Sequence, residues 1–390
     1  MTPAARVAAA IAVLDQIIAG EPAERALISW ARANRYAGSG DRAAVRDRVF
    51  DALRRRDEYA HLGHALSGRG LMIGALRAAA EDLEAIFSGA AYAPPALTEA
   101  ERAAPAPLPD DGPARWNLPA PLIAAFRASL GDQADRAMAA LSQRADVHLR
   151  VNTRKGGREK AQAALAAEEI ETRPHNSVET ALIVTKNARK VQNAQAYLQG
   201  LVELQDAASQ AAILRLPLSD GMRVLDYCAG GGGKSLAMGA RARLDIAAHD
   251  AAPARMADLP ARAARAGLKI RQIGPADVAR SGPYDLVLID APCSGSGTWR
   301  RTPDAKWRFE DKDLQALVRV QSEILPKAAR LVTAGGVLAY ATCSVLQGEN
   351  DDQIAAFCAA HPQWQQTDRM QLLPGPDWDG FYLYVLRHQA

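Results

Sequence analysis

The sequence predicts an α/β protein: a mostly parallel, doubly wound sheet in its second half, a small α/β lobe before it, and an all-helical segment at the start. Three observations predict this. From Gly221 onward apolar runs alternate with helix-length segments, with strands expected near Arg223 to Tyr227, Asp245 to His249, Ile270 to Ile273, Tyr284 to Ile289, Gly336 to Ala341 and Phe381 to Leu386. Such alternation means parallel strands with helices on both faces. The first run closes on the glycine-rich turn Cys228-Ala229-Gly230-Gly231-Gly232-Gly233-Lys234. Two later runs close on cysteine-bearing turns, Asp290-Ala291-Pro292-Cys293-Ser294-Gly295-Ser296-Gly297 and Thr342-Cys343-Ser344.

With 390 residues the chain exceeds one typical core, and two or three domains are expected. Pro3 to about Phe87 is Ala-rich with apolar residues at helical spacing. Asp41, after Gly38-Ser39-Gly40, is the expected N-cap of a helix through Val45, Val49, Phe50 and Leu53. That helix ends in Arg54-Arg55-Arg56, a solvated face or an RNA contact. Composition shifts to Ala, Pro, Glu and Asp between Gly89 and Pro113, which reads as a linker or long excursion. The expected division is therefore residues 1–88 helical, 89–115 linker, 116–215 a small lobe with one basic side, and 216–390 the main sheet. In the lobe, His148 to Asn152 and Thr180 to Val184 read as strands, separated by the basic loop Thr153-Arg154-Lys155-Gly156-Gly157-Arg158 and a helix from Glu159 to about Ala167.

A net charge of +3 is weak evidence for a nucleic-acid partner. The 4 cysteines lie far apart, without C-x-x-C or Cys/His spacing, so neither a zinc site nor a disulfide framework is expected. A reducing, cytoplasmic setting and a monomer follow as expectations, with no metal. Val7 to Leu14 is an apolar run behind Arg6, but Ile11, Leu14, Ile17 and Ile18 continue it at helical spacing, as in a core helix. No stretch is long enough to span a bilayer, so no membrane partner is expected.

Glycines directly after a first parallel strand let backbone amides approach a ligand at a helix N-terminus. A Walker loop requires glycine where Cys228 stands, and no register of these glycines satisfies the dinucleotide fingerprint. An adenosyl ligand without a phosphate clamp, such as S-adenosylmethionine, is the remaining nucleotide reading. Asp250, at the end of the second strand, suits the ribose hydroxyls or a helix cap. Asp277 suits an adenine amino group or a turn cap. The last two cysteine turns follow strands separated by one helix-length segment, Asp313 to Leu331, so these strands are parallel neighbours and Cys293 and Cys343 face one crevice. Cys228 and Cys358 read as packing residues. Lys234 is a cofactor-loop contact or a solvated helix start, and Arg150, Arg154, Lys155, Arg158, Arg300, Arg301 and Lys306 are phosphate contacts or scattered surface charge.

Together, Asp226-Tyr227-Cys228-Ala229, Gly232-Gly233-Lys234, the Asp290–Gly297 and Thr342–Ser344 turns, Arg150-Val151-Asn152, Gln205 to Gln210, Arg301-Thr302-Pro303-Asp304, Glu349-Asn350 and Asp379-Gly380-Phe381 resemble the RsmB/Nop/Sun family of RNA 5-methylcytosine methyltransferases. The resemblance covers roughly Arg150 to Arg387. It implies a Rossmann-like class I S-adenosylmethionine methyltransferase domain and, for the N-terminus, a short NusB-like RNA-binding domain. It also implies methylation of cytosine carbon 5 in RNA, small-subunit ribosomal RNA as for the bacterial members, with Cys343 as nucleophile. Asp290 is then the cytosine-edge contact, Cys293 the group that helps remove the carbon 5 proton, and Cys228, Ala229, Gly230, Gly231, Gly232, Gly233, Lys234, Asp250, Asp277 and Asp290 the cofactor site. Gly230-Gly231 replace the family's usual Ala-Pro, which predicts a looser loop. An RNA-binding ribosome-assembly factor with little turnover is the alternative function.

Overall fold

Branched apolar runs that end at Gly, Asp or Cys turns become strands, and in a computed structural model, which describes residues 1–389, they assemble into two sheets. The chain divides into two compact units, Met1–Arg144 with Trp299–Phe309, and Ala145–Thr298 with Glu310–Ala390. No helix among the described residues is long and apolar enough to cross a membrane.

The first unit is helical. Helices Pro3–Ile18, Ala23–Ala33, Ser39–Arg54 and Gly68–Ala78 bury Val7, Val13, Leu14, Leu27, Val49, Leu53, Leu71 and Ile73 in one core. Two expectations change here. The third helix already begins at Ser39, so Asp41 lies in its first turn and is not the cap. Its carboxylate accepts from the N-terminal amine of Met1 at 3.1 Å and from Arg6 at 2.9 Å, cations that only packing against the first helix could supply. The Arg54-Arg55-Arg56 run is likewise not simply a solvated face. Arg54 is buried and donates to the Arg300 carbonyl at 2.7 Å, Arg55 pairs with Glu58, and Arg56 pairs with Asp57 at 2.8 Å and lies 3.7 Å over the Trp307 ring. Within residues 89–115, Glu101 pairs with Arg69 at 2.6 Å.

The second unit holds both sheets. Strands β1 (Val147–Val151), β2 (Glu171–Pro174), β3 (Ala181–Lys186) and β4 (Val202–Leu204) form an antiparallel sheet in the order β2-β3-β1-β4. The larger sheet comprises β5 (Arg223–Asp226), β6 (Asp245–His249), β7 (Ile270–Ile273), β8 (Tyr284–Asp290), β9 (Val332–Thr342), β10 (Trp364–Leu372) and β11 (Phe381–His388). Its order is β10-β11-β9-β8-β5-β6-β7. From β7 to β9 neighbours are parallel, whereas β11 runs antiparallel to β9 and β10 antiparallel to β11.

This is a Rossmann-like, doubly wound architecture with an antiparallel edge. After β5 the chain builds β6 and β7 on one side and then returns with β8 on the other. Strand order therefore reverses between β5 and β8, and ligand crevices open beyond the carboxyl ends of strands at such a point. The helix Asp311–Ala329 provides the crossover from β8 to β9, as their spacing predicts. Sequence reading did not expect β2, β4 or β10. All three are edge strands; β2 is polar and mostly exposed, and β4 has only 3 residues, so neither carries a readable apolar alternation.

Candidate active site

The chain leaves β5 at Asp226 and turns through Gly230 and Gly232, with φ of +50° and +78°, into the helix Gly233–Arg241. These left-handed values favour glycine, and a Cβ on Gly232 would stand 2.1 Å from Leu259 Cδ1. Hydrogen bonds from elsewhere in the fold hold the Gly230-Gly231 turn. Asp250 accepts from the Gly230 amide at 2.9 Å, Arg262 donates to the Gly231 carbonyl, and Arg150 donates to the Gly233 carbonyl at 2.8 Å. Ala229 donates to the His249 carbonyl at 2.8 Å, which ties the turn to β6.

Asp250 is 2% exposed, accepts from the Ala252 amide at 2.9 Å, and pairs with the exposed Arg255 at 3.1 Å. Asp226 is fully buried. The Ser235 hydroxyl donates to one of its carboxylate oxygens at 2.6 Å, the other has no partner, and burial pushes the carboxyl up to about 6. Cys228 packs against the apolar core, and burial pushes its thiol up. Asp277 follows β7 but is exposed and pairs with Arg280 at 3.1 Å.

Beyond the ends of β8 and β9 the two sequence-predicted thiols meet. Cys293 Sγ lies 3.5 Å from Cys343 Sγ. The register that pairs Asp290 with Ala341 places both turns at the same height, and the Gly297 amide donates to the Cys343 carbonyl at 3.0 Å. Gly380 in turn donates to the Gly297 carbonyl at 2.8 Å; a Cβ on Gly297 would meet Gly380 Cα at 2.6 Å, so the backbones touch only because both residues lack one.

The sulfurs are electrostatically unequal. The S–H that Cys293 donates lowers the Cys343 thiol; burial and Asp290 oppose this, while Lys234 assists it. Cys293 is pushed well above the usual thiol range by donating to Cys343, by burial and by the charge of Glu349. Lys234 Nζ stands 2.5 Å from Asp290 Oδ2 and 5.1 Å from the Phe381 ring centroid. Burial disfavours its charge, but Asp290 outweighs that and holds the ammonium above its ordinary range. The two displacements run in opposite directions, so Cys343 is the sulfur of the pair that ionises more readily, and the thiolate is the nucleophilic form of cysteine.

Comparison with known proteins gives the family. Residues 213–377 match the family model described as 16S rRNA methyltransferase RsmB/F, and residues 118–192 match the RsmF/B-like ferredoxin-like domain. The chain belongs to the RsmB/F methyltransferase family. Curated proteins named ribosomal RNA small subunit methyltransferase B, from Yersinia pestis and Yersinia pseudotuberculosis, are 33% identical over 279 residues, which is 68% of this chain and 65% of theirs. The match thus spans just under two thirds of those relatives. Among solved structures, PH0851 aligns with a TM-score of 0.76 at 22% identity over 99% of both chains. A methyltransferase homolog from Pyrococcus horikoshii aligns at 0.62 and 20% identity, over 71% of this chain and 97% of its own. These two show a shared fold.

Within this RsmB/F member, part of the expected basic set is withdrawn from solvent. Arg150, Arg300 and Lys306 are buried. Arg150 braces the glycine loop, and Lys306 donates to the Arg54 carbonyl at 2.9 Å, with burial pulling its ammonium down to about 7. None of the three is available to phosphates. Lys155 donates to the Gln199 and Arg265 carbonyls, and Arg158 to the His175 carbonyl at 3.3 Å, whereas Arg154 and Arg301 are exposed. Sequence reading also left Asp226 and Glu349 without a role. Glu349-Asn350 is visible only as a word of family resemblance, and nothing local marks its carboxylate as a neighbour of both thiol turns.

Proposed function

We propose that this chain transfers the methyl group of S-adenosylmethionine to carbon 5 of a cytosine in small-subunit ribosomal RNA. The carrying observation is the pair of unequal thiols 3.5 Å apart beyond the carboxyl ends of β8 and β9, beside the point where strand order reverses. Family membership and the name of the Yersinia relatives, ribosomal RNA small subunit methyltransferase B, support the RNA substrate.

The residues fit the cofactor. Gly230 and Gly232 keep the loop clear of side chains, Asp250 faces it as an acceptor for ribose hydroxyls, and Asp226 keeps one buried carboxylate oxygen unpartnered. When bound, S-adenosylmethionine supplies an electrophilic methyl group. Carbon 5 of cytosine is a poor nucleophile, so the Cys343 thiolate adds at carbon 6, and the ring becomes an enamine-like methyl acceptor. Nitrogen 3 gains electron density when carbon 6 is attacked, so a proton shared between Asp290 and that ring edge stabilises the adduct, and Lys234 holds Asp290 in place. After methyl transfer Cys293, its own proton released to solvent, takes the carbon 5 proton. The carbon–sulfur bond then breaks and returns its electron pair to Cys343.

Purified protein given methyl-labelled S-adenosylmethionine and small-subunit ribosomal RNA should yield labelled 5-methylcytidine on nucleoside analysis. Label at another atom, or none with well-folded protein that fails to bind the cofactor in a calorimetric titration, overturns the reading.

A further inference from the structure

Glu349 is the most heavily committed buried carboxylate beside the thiols. It ends the 3-10 turn Gln347–Glu349 and is 0% exposed. One of its oxygens accepts from the Ser294 amide at 2.8 Å and from Gln321 Nε2 at 3.1 Å. The other accepts from the Ser294 hydroxyl at 2.5 Å and from the Ser344 hydroxyl. An ionised carboxylate is acceptor-only with about four lone-pair sites, so its capacity is filled. Ser294 directly follows Cys293 and Ser344 directly follows Cys343. The same carboxylate therefore grips both thiol turns one residue beyond each sulfur.

The grip extends outward. Gln321, on the crossover helix, also donates to the Pro292 carbonyl at 2.9 Å, on the other side of Cys293. Asn350 accepts from the Thr342 hydroxyl at 2.6 Å and donates to the Ser344 carbonyl at 3.0 Å, bracketing Cys343. The Tyr340 hydroxyl donates to the Glu349 carbonyl at 2.7 Å and fixes the clamp to β9.

We propose that Glu349 is a positioning residue: its carboxylate locks the Cys293 and Cys343 turns to each other and biases the shared proton towards Cys293. This rests on the reading of the two thiols as nucleophile and proton acceptor. Burying a carboxylate is costly unless every lone pair is used, and a merely apolar contact would join the turns without that cost. A negative charge beside Cys293 disfavours the Cys293 thiolate, consistent with the upward displacement of that thiol. Cys343 is thereby left as the sulfur that ionises first.

The test is Glu349→Gln, which keeps the shape but removes the charge and places an amide donor among groups that donate. Alkylation by iodoacetamide across pH, read cysteine by cysteine by peptide mass spectrometry, should show Cys293 becoming reactive at lower pH than in the parent protein. In methyl transfer, kcat should fall on the order of 10- to 100-fold, as expected of small misplacement. The S-adenosylmethionine Kd and the RNA KM should stay within about twofold. An unchanged Cys293 profile together with an unchanged kcat overturns the proposal, as does a lowered melting temperature that leaves both unaltered. If Glu349→Gln does not fold, Ser294→Ala and Ser344→Ala decide: each should lower kcat and shift the alkylation profile, and parental behaviour in both overturns it. Should the parent protein make no 5-methylcytidine, the function reading fails, and the alkylation profiles still test the clamp.

Discussion

Lys234 Nζ and Asp290 Oδ2 lie 2.5 Å apart, so the first turn of the helix after the glycine loop is ionically joined to the end of β8. The pair puts one cation and one anion beside the thiols. Lys234 favours the Cys343 thiolate and Asp290 opposes it, and their contact orients Asp290 while offsetting its charge.

Replacing Lys234 with Met removes the cation and leaves the anion. The Cys343 alkylation midpoint should then move to higher pH, because the thiolate loses its favourable neighbour. The acid limb of the methylation pH profile should move the same way. A midpoint that stays or falls shows that Lys234 does not govern the thiol.

The two cysteines should give opposite phenotypes when removed. Cys343→Ala deletes the attacking sulfur, so methyl transfer should fall by roughly 10³-fold or more with no covalent RNA adduct. Cys293→Ala leaves attack intact but slows resolution, so an RNA–protein species that survives denaturing electrophoresis should accumulate. The reverse pattern assigns the attack to Cys293.

Asp250→Ala should weaken S-adenosylmethionine binding by about 1.5–3 kcal/mol, the worth of a charge-assisted acceptor. It also frees the Gly230 and Ala252 amides that Asp250 now holds, so Asp250→Asn, which keeps one acceptor oxygen, should lose less. Calorimetry on both variants checks the order, and an unchanged Kd removes Asp250 from the site.

Asp226 makes stability depend on pH. Its folded-state carboxyl sits at about 6 against an ordinary 3.8, so the folded state holds the proton more tightly than the unfolded chain. Its stabilising contribution is therefore fully present below about pH 4 and is lost as pH rises through 6. The raised pKa corresponds to about 3 kcal/mol of penalty on the ionised form at neutral pH. Asp226→Asn should therefore raise the cofactor-free unfolding free energy at pH 7 by up to that amount and change it little at pH 4. Denaturant titrations at the two pH values measure this, and an equal effect at both refutes the assignment.

Much of the site is legible in the sequence because its signals are local. Apolar runs at β5, β6, β8 and β9 mark buried parallel strands, and a glycine turn after β5 and cysteine turns after β8 and β9 mark where the chain leaves the sheet. The single helix-length segment between β8 and β9 requires a parallel crossover, so the meeting of Cys293 and Cys343 could be read before any coordinates. The fate of charges could not. Arg150, Arg300 and Lys306 look like phosphate contacts in the sequence and are buried in the fold, Arg150 and Lys306 against carbonyl oxygens, while Asp41 caps nothing and binds Met1 and Arg6. Glu349 gains its place between the thiol turns only when β8, β9 and the crossover helix pack together. Strand propensity depends on neighbours along the chain, whereas the energy of a charge depends on which distant groups desolvate it and which donors reach it, and only the tertiary structure decides that.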